Sequence, residues 1–213
     1  MTWLRYAGCL LAAYLLGSVP VGYLIVRRVK GVDITRLGSG RIGGTNVLRV
    51  AGALPAALTV LADFGKGYAA VTLTRALAPG MPLLAALAGL CVVLGHAWSL
   101  FLRFGGGVAS MTAGGAALAL APLATVPVGL LAIVVVAVSR YSSLGSLTFA
   151  VGLGLICLTC TLIGRAPAAH ALFALTTGAI AIYKLRPNIA RLRQGAERRI
   201  GQTVEAGQTD VKP

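Results

Sequence analysis

Seven apolar runs of 13 to 24 residues, most near the length that crosses a bilayer, punctuate this chain and leave few architectures open to it. They cover residues 4–26, 54–77, 83–102, 108–123, 126–138, 147–163 and 168–183. About 20 apolar residues carry a helix through the hydrocarbon core. Backbone in lipid must satisfy its own hydrogen bonds, and a helix does so. The fourth and fifth runs are short and separated by Pro122 and Pro127, which fits a tight hairpin of short spans or a re-entrant pair. The first run exceeds a signal-peptide core and is followed by no small-residue cleavage site, so it reads as a spanning helix. Only 11% of residues are charged and 57% are hydrophobic. A soluble chain carries about 25% charged residues. The expected fold is all-α, a polytopic membrane bundle of about seven helices.

The distribution of cations tests that count. Nineteen Lys and Arg face five Asp and Glu. They sit between apolar runs rather than in one stripe, so nucleic acid is not the expected partner; the lipid bilayer is. With the N-terminus outside, alternate connections place fifteen cations inside and only Arg5, Arg75 and Arg165 outside. An even number of spans would put one of the two large basic clusters on the wrong side. The expectation is therefore an outside N-terminus and a cytoplasmic C-terminus. Residues 1–201 read as a single membrane-integral domain and 202–213 as a disordered polar tail. Cys9, Cys91, Cys157 and Cys160 all lie in apolar runs, where packing is their expected role. Cys157-x-x-Cys160 has redox-motif spacing without the βαβ pattern that goes with it, no second His or Cys stands with His96 at metal-ligand spacing, and no metal or cofactor is expected.

Chemistry is concentrated between the runs. The first basic connection holds Gly38-Ser39-Gly40-Arg41-Ile42-Gly43-Gly44-Thr45-Asn46 and then Arg49. Its glycines allow backbone N–H groups to converge on an anion, and Arg49 can pair bidentately with phosphate. A flexible loop touching lipid headgroups explains the same composition. Gly38-x-Gly40-x-x-Gly43 mimics a dinucleotide fingerprint, but that motif needs a βαβ unit, and none surrounds it. Asp63 and Lys66, three apart inside an apolar run, share a helix face. Charges there pair with each other or line a polar cavity. His96, near the interfacial Trp98 and Phe101, is either an anchor or a base. Arg103 is followed by Gly105, Gly106 and Gly107 and then by Ser110 at a helix start. This stretch suits an anion seat or a tight reversal. The inside connections together point to one site for phosphate groups, reached by apolar chains from within the bilayer.

Five segments, in order, resemble the acyl-phosphate-dependent glycerol-3-phosphate acyltransferases of bacterial membranes. They are Gly38-Ser39-Gly40-x-Ile42-Gly43-x-Thr45-Asn46-x-x-Arg49, Asp63-x-x-Lys66-Gly67, Gly95-His96-x-x-Ser99-x-Phe101-Leu102-x-Phe104, Arg140-Tyr141-x-Ser143-Leu144-Gly145-Ser146 and Asn188-Ile189-x-Arg191-Leu192-x-x-Gly195-x-Glu197. The resemblance implies transfer of a fatty acyl group from acyl phosphate to the 1-hydroxyl of glycerol 3-phosphate, giving lysophosphatidic acid. It implies a multi-pass protein of the bacterial inner membrane with its site on the cytoplasmic face. His96, Ser39 and Arg49 would be catalytic. Gly38, Gly40, Gly43, Thr45, Asn46, Gly105, Gly106, Gly107, Ser110 and Asn188 would bind substrate. A weakly active or non-catalytic paralogue that binds phosphorylated lipid or metabolite is the alternative.

Three departures stand out. The family's second loop reads Phe-Lys-Gly-Gly-Lys-Gly-Val-Ala, whereas Phe104 here runs directly into Gly105-Gly106-Gly107-Val108. Both lysines are missing. Arg41 and Gly44 replace asparagine and alanine, and Leu185 replaces a histidine. A lost charge-assisted phosphate contact is worth about 1.5–3 kcal/mol. Arg41 or Arg103 is expected to supply the missing cation.

Overall fold

The structure, a computed structural model, describes residues 2–202. Among these residues every regular element is a helix: α1 Thr2–Ser18, α2 Val21–Lys30, α3 Gly44–Ala51, α4 Ala53–Leu77, α5 Pro82–Ala97, α6 Ser110–Leu120, α7 Pro122–Ser139, α8 Ser142–Leu162 and α9 Ala168–Arg193. Short 3-10 turns occupy Ile34–Arg36 and Leu100–Leu102. The expected tail lies outside the described residues, apart from Gln202.

Prolines and glycines set the breaks. Pro20 lacks an N–H and divides the first apolar run into α1 and α2. Gly31, in the left-handed region at φ 71°, closes α2 by donating to Arg27 O. Arg27, Arg28 and Lys30 occupy that last turn, where the helix dipole favours cations. Pro82 and Pro122 open α5 and α7.

Among the described residues, five segments are long and apolar enough to cross a membrane: Trp3–Lys30, Pro82–Leu102, Pro122–Ser139, Ser142–Leu162 and Ala168–Arg193. Two of the seven expected runs fall short of that standard. α4 has the length, but Asp63 and Lys66 lower its hydropathy. In the run at 108–123, α6 supplies 11 helical residues, a rise of about 16 Å, and α7 begins anew at Pro122.

Glycine brings two helix pairs to backbone contact. A Cβ on Gly17 of α1 would lie 2.1 Å from Val92 O of α5, and one on Gly95 would lie 2.1 Å from Tyr14 O. The same holds for α4 and α6, with Gly67 against Thr112 O at 2.0 Å and Gly115 against Phe64 O at 1.9 Å. Small residues at such crossings are how membrane helices gain packing without a hydrophobic driving force. The central core is correspondingly fine-grained, built on Val71, Ala88, Val92, Ala116, Ala117, Leu153, Phe173 and Ala174. Leu54, Leu61, Leu73, Leu123 and Val138 point outward, as a lipid-facing surface requires. In contrast to these tight pairs, α7 packs mainly on α8 and lightly on α6. A groove is left alongside it.

Candidate active site

The first connection folds around its own side chains. Asp33 caps the Ile34–Arg36 turn, accepting from Thr35 N at 2.9 Å and Thr35 Oγ1 at 2.6 Å. The Thr35 hydroxyl, aided by the nearby Arg36 and Arg27 charges, holds the Asp33 carboxyl below its ordinary range. Gly38 and Gly40 adopt φ of 57° and 67°, which side-chain-bearing residues rarely take. Asn46 is buried and fully engaged: its amide donates to Leu37 O and Arg41 O at 3.0 and 2.8 Å, and its oxygen accepts from Ser39 N at 3.1 Å. Asn46 thus shapes the loop. Thr45 and Arg49, one turn apart on α3, share a face. Gly44 fits closely against α4, since a Cβ there would meet Val60 Cγ2 at 2.4 Å.

A cavity of about 570 Å³ opens beside this loop. Ser39, Arg41, Gly43, Gly44, Thr45, Asn46 and Arg49 form one wall. Asp63 and His96 form a second, Val108, Ala109 and Ser110 a third, and Ser142, Ser143, Gly145 and Ser146 of α8 a fourth. Leu185, Asn188, Arg191, Glu197, Arg198 and Ile200 close it from the C-terminal side. Four connections distant in sequence therefore meet at one polar end of the bundle, from which Phe64, Met111, Gly129, Ile133 and Phe149 carry the lining into apolar surface.

Two networks hold these walls. His96 is buried, with Nδ1 3.3 Å from Asp63 Oδ1. Lys66 Nζ lies 2.9 Å from the same oxygen and donates to Val19 O at 3.1 Å. Asp63 and Lys66 thus form a buried ion pair of which only the carboxylate member lines the cavity, where it faces the histidine. A base held by a carboxylate is a recurring arrangement for proton transfer. The second network centres on buried Glu197. Ser143 Oγ and Asn188 Nδ2 donate to its Oε1 at 2.9 and 2.7 Å, and Arg191 Nε donates to Oε2 at 2.8 Å. Arg41 joins this network to the first loop, donating to Asn188 Oδ1 at 2.7 Å and to Lys184 O. Burial, and then the Arg191 charge, push the Arg41 guanidinium below its ordinary value, while Glu197 pushes it back up.

The second connection has a different geometry. Ser99 N donates to Gly105 O, Phe104 N to Ser99 O and Gly107 N to His96 O, giving a compact reversal. A Cβ on Gly106 would lie 2.3 Å from His96 O, and one on Gly107 2.3 Å from His96 Nε2. These glycines admit close packing on the end of α5. Gly105, Gly106 and Gly107 stand outside the cavity lining, and so do Gly38 and Gly40, which act through the turns they permit. Arg103 is exposed and also stands outside it. Sequence reasoning missed Glu197, Arg191 and Arg198 as cavity residues. The signal available for Glu197 was a lone carboxylate amid the six cations between Lys184 and Arg199. Among the described residues, no three His, Cys, Asp or Glu side chains cluster for a metal.

The fold and cavity define a polytopic helical membrane protein whose polar pocket gathers hydroxyl and guanidinium groups above an apolar groove, a lining whose chemistry suits a phosphorylated amphiphile. Residues 7–195 match the family model described as glycerol-3-phosphate acyltransferase. The chain is 42% identical over 193 residues to glycerol-3-phosphate acyltransferase 2 of Moorella thermoacetica, covering 91% of this chain and 96% of that protein. It is 43% identical over 187 residues to the glycerol-3-phosphate acyltransferase of Desulforudis audaxviator, covering 88% and 91%. Crystal structures of PlsY (YgiH), an integral membrane glycerol 3-phosphate acyltransferase, superpose with TM-scores of 0.83 for the glycerol 3-phosphate form and 0.81 for the lysophosphatidic acid form. Their sequence identities to this chain are 33% and 34%; each covers 92% of this chain, and 96% and 95% of the respective crystal chains are matched. The chain belongs to the glycerol-3-phosphate acyltransferase family.

Proposed function

We propose that this protein transfers a fatty acyl group from acyl phosphate to the 1-hydroxyl of glycerol 3-phosphate, releasing lysophosphatidic acid and inorganic phosphate. The observation that carries this reading is the meeting of four polar connections at the mouth of one apolar groove. Ser39, Thr45 and Arg49 bind phosphate from α3 and the loop before it. Arg41, held against Asn188, supplies the cation that the family's second loop draws from lysine. Ser110, Ser142 and Ser146 add hydroxyl donors from the facing helices.

Acyl phosphate is already activated, so positioning and charge stabilisation account for most of the acceleration. The glycerol hydroxyl attacks the acyl carbon, the C–O bond to phosphate breaks, and phosphate leaves with the bonding pair. His96, oriented by Asp63 through Nδ1, takes the hydroxyl proton at Nε2. No acyl-enzyme forms on this route.

The reading includes an address. Seven crossings, with the N-terminus outside and the C-terminus within, put the cavity on the cytoplasmic face of a bacterial inner membrane. The α1–α2 unit, α4, α5, α6 together with the segment leading into it, α7, α8 and α9 correspond to those crossings. The excess of inner cations supports this orientation. Residues 1–201 act as one domain.

The test is purified protein in detergent, supplied with palmitoyl phosphate and glycerol 3-phosphate. Lysophosphatidic acid and phosphate should form in equal amounts. Folded protein that binds glycerol 3-phosphate yet makes no product would instead be a non-catalytic binder. An acylated side chain trapped in a quenched reaction would overturn the direct route.

A further inference from the structure

The apolar half of the cavity runs along a single face of α7. Thr125, Gly129, Ala132, Ile133, Val136 and Ala137 recur there at helical spacing and line the groove. The end of α7 near Ala137 adjoins the polar mouth, because Ser142 and Ser143 follow directly in α8. From Ala137 to Thr125 the helix rises about 18 Å. A methylene chain advances roughly 1.3 Å per carbon, from bonds of about 1.5 Å in zigzag. The groove therefore accommodates about fourteen carbons beyond the mouth.

Its glycines differ in what surrounds them. A Cβ on Gly145 would strike Val136 Cγ2 at 2.2 Å, and one on Gly114 would touch Phe64 and Phe149 at 3.6 and 3.9 Å. A Cβ on Gly129 would meet nothing within 4 Å, although Gly129 lines the cavity. The space that a side chain would fill is thus left open about two-thirds of the way down the groove. Glycine costs an interior helix about 1 kcal/mol relative to alanine, so its presence on α7 wants a reason.

We infer that Gly129 sets the acyl-chain length this enzyme accepts, by leaving the distal third of the groove open to the last few carbons. The inference rests on the acyltransferase reading above. Thr125, whose hydroxyl is turned back onto Ala121 O at 2.8 Å, marks the far end of that groove.

The experiment is a competition among decanoyl, dodecanoyl, tetradecanoyl and hexadecanoyl phosphates, with glycerol 3-phosphate held saturating. The variants are G129A, G129L and the control G65L. Gly65 on α4 is exposed, has equally open space and stands outside the cavity. In G129L the preferred chain should shorten by about four carbons, and the hexadecanoyl-to-decanoyl ratio of kcat/KM should fall about tenfold or more, as overpacking does in cores. G129A should fall between, and G65L should match the unmodified protein. The KM for glycerol 3-phosphate should not move. An unchanged length profile in G129L, or an equal loss at every length, overturns the inference. Absence of turnover in the unmodified protein with any acyl phosphate would instead sink the acyltransferase reading.

Discussion

Arg41 offers the most informative single substitution, Arg41→Asn, which restores the residue usual in the family. Arg41 spans the cavity wall, bonded to Asn188 Oδ1 at 2.7 Å and to Lys184 O. Burial pushes its guanidinium below its ordinary value, yet arginine is so weak an acid that it stays charged at neutral pH. Loss of one charge-assisted contact to substrate phosphate costs about 1.5–3 kcal/mol. That is about a tenfold to hundredfold fall in kcat/KM. The shorter asparagine also leaves Asn188 and the Lys184 carbonyl short of a donor, a further cost of about 1–3 kcal/mol to the fold. The assay therefore reads steady-state kinetics for both substrates alongside thermal unfolding in detergent. Arg41→Lys keeps the charge without the fork and should lie between the two. Rebuilding the second loop as Phe-Lys-Gly-Gly-Lys-Gly should recover activity in the asparagine variant but not its lost stability. Near-normal activity of Arg41→Asn, with the loop unaltered, would refute the assignment of this cation.

Three other outcomes follow from the same geometry. His96→Gln should lower kcat by about a hundredfold or more while leaving the glycerol 3-phosphate KM close to unchanged, as loss of a proton acceptor does. Glu197→Ala should cost about 3–5 kcal/mol of stability, seen as an earlier thermal transition, because it strands Arg191 and two further donors in a buried cluster. Gly107→Ala should reduce activity with little change in expression, since its new methyl would sit 2.3 Å from His96 Nε2 and displace the ring.

How far the fold could be read in advance depended on which signal each element carried. Bilayer-length hydropathy placed α5 and α8, but it began α7 at 126 rather than at Pro122 and ended α9 at 183 rather than at Arg193. It missed the break at Pro20, because hydropathy continues across it from α1 into α2. It also overstated α6, whose preceding residues Val108 and Ala109 are apolar yet belong to the connection, with Ala109 at φ 67°. In the first loop, composition showed polar and glycine-rich character, but not that Asn46 spends its side chain inward. For Gly105–Gly107 the sequence allowed two meanings, since an anion seat and a close backbone approach both need glycine. Contact with His96 distinguishes them, and that contact depends on how the reversal packs back on α5. The cluster around Glu197 joins Ser143, Asn188, Arg191 and, through Asn188, Arg41. No local pattern encodes partners so far apart.

The central claim is that phosphate-binding groups from separate connections surround a single substrate site. A crystal structure with glycerol 3-phosphate bound tests it directly. The phosphate should lie in the cavity within hydrogen-bond reach of Thr45 and Arg49, with the 1-hydroxyl turned towards His96. A phosphate resting instead on Arg27, Arg28 and Lys30 of α2, with the cavity empty, would contradict the account.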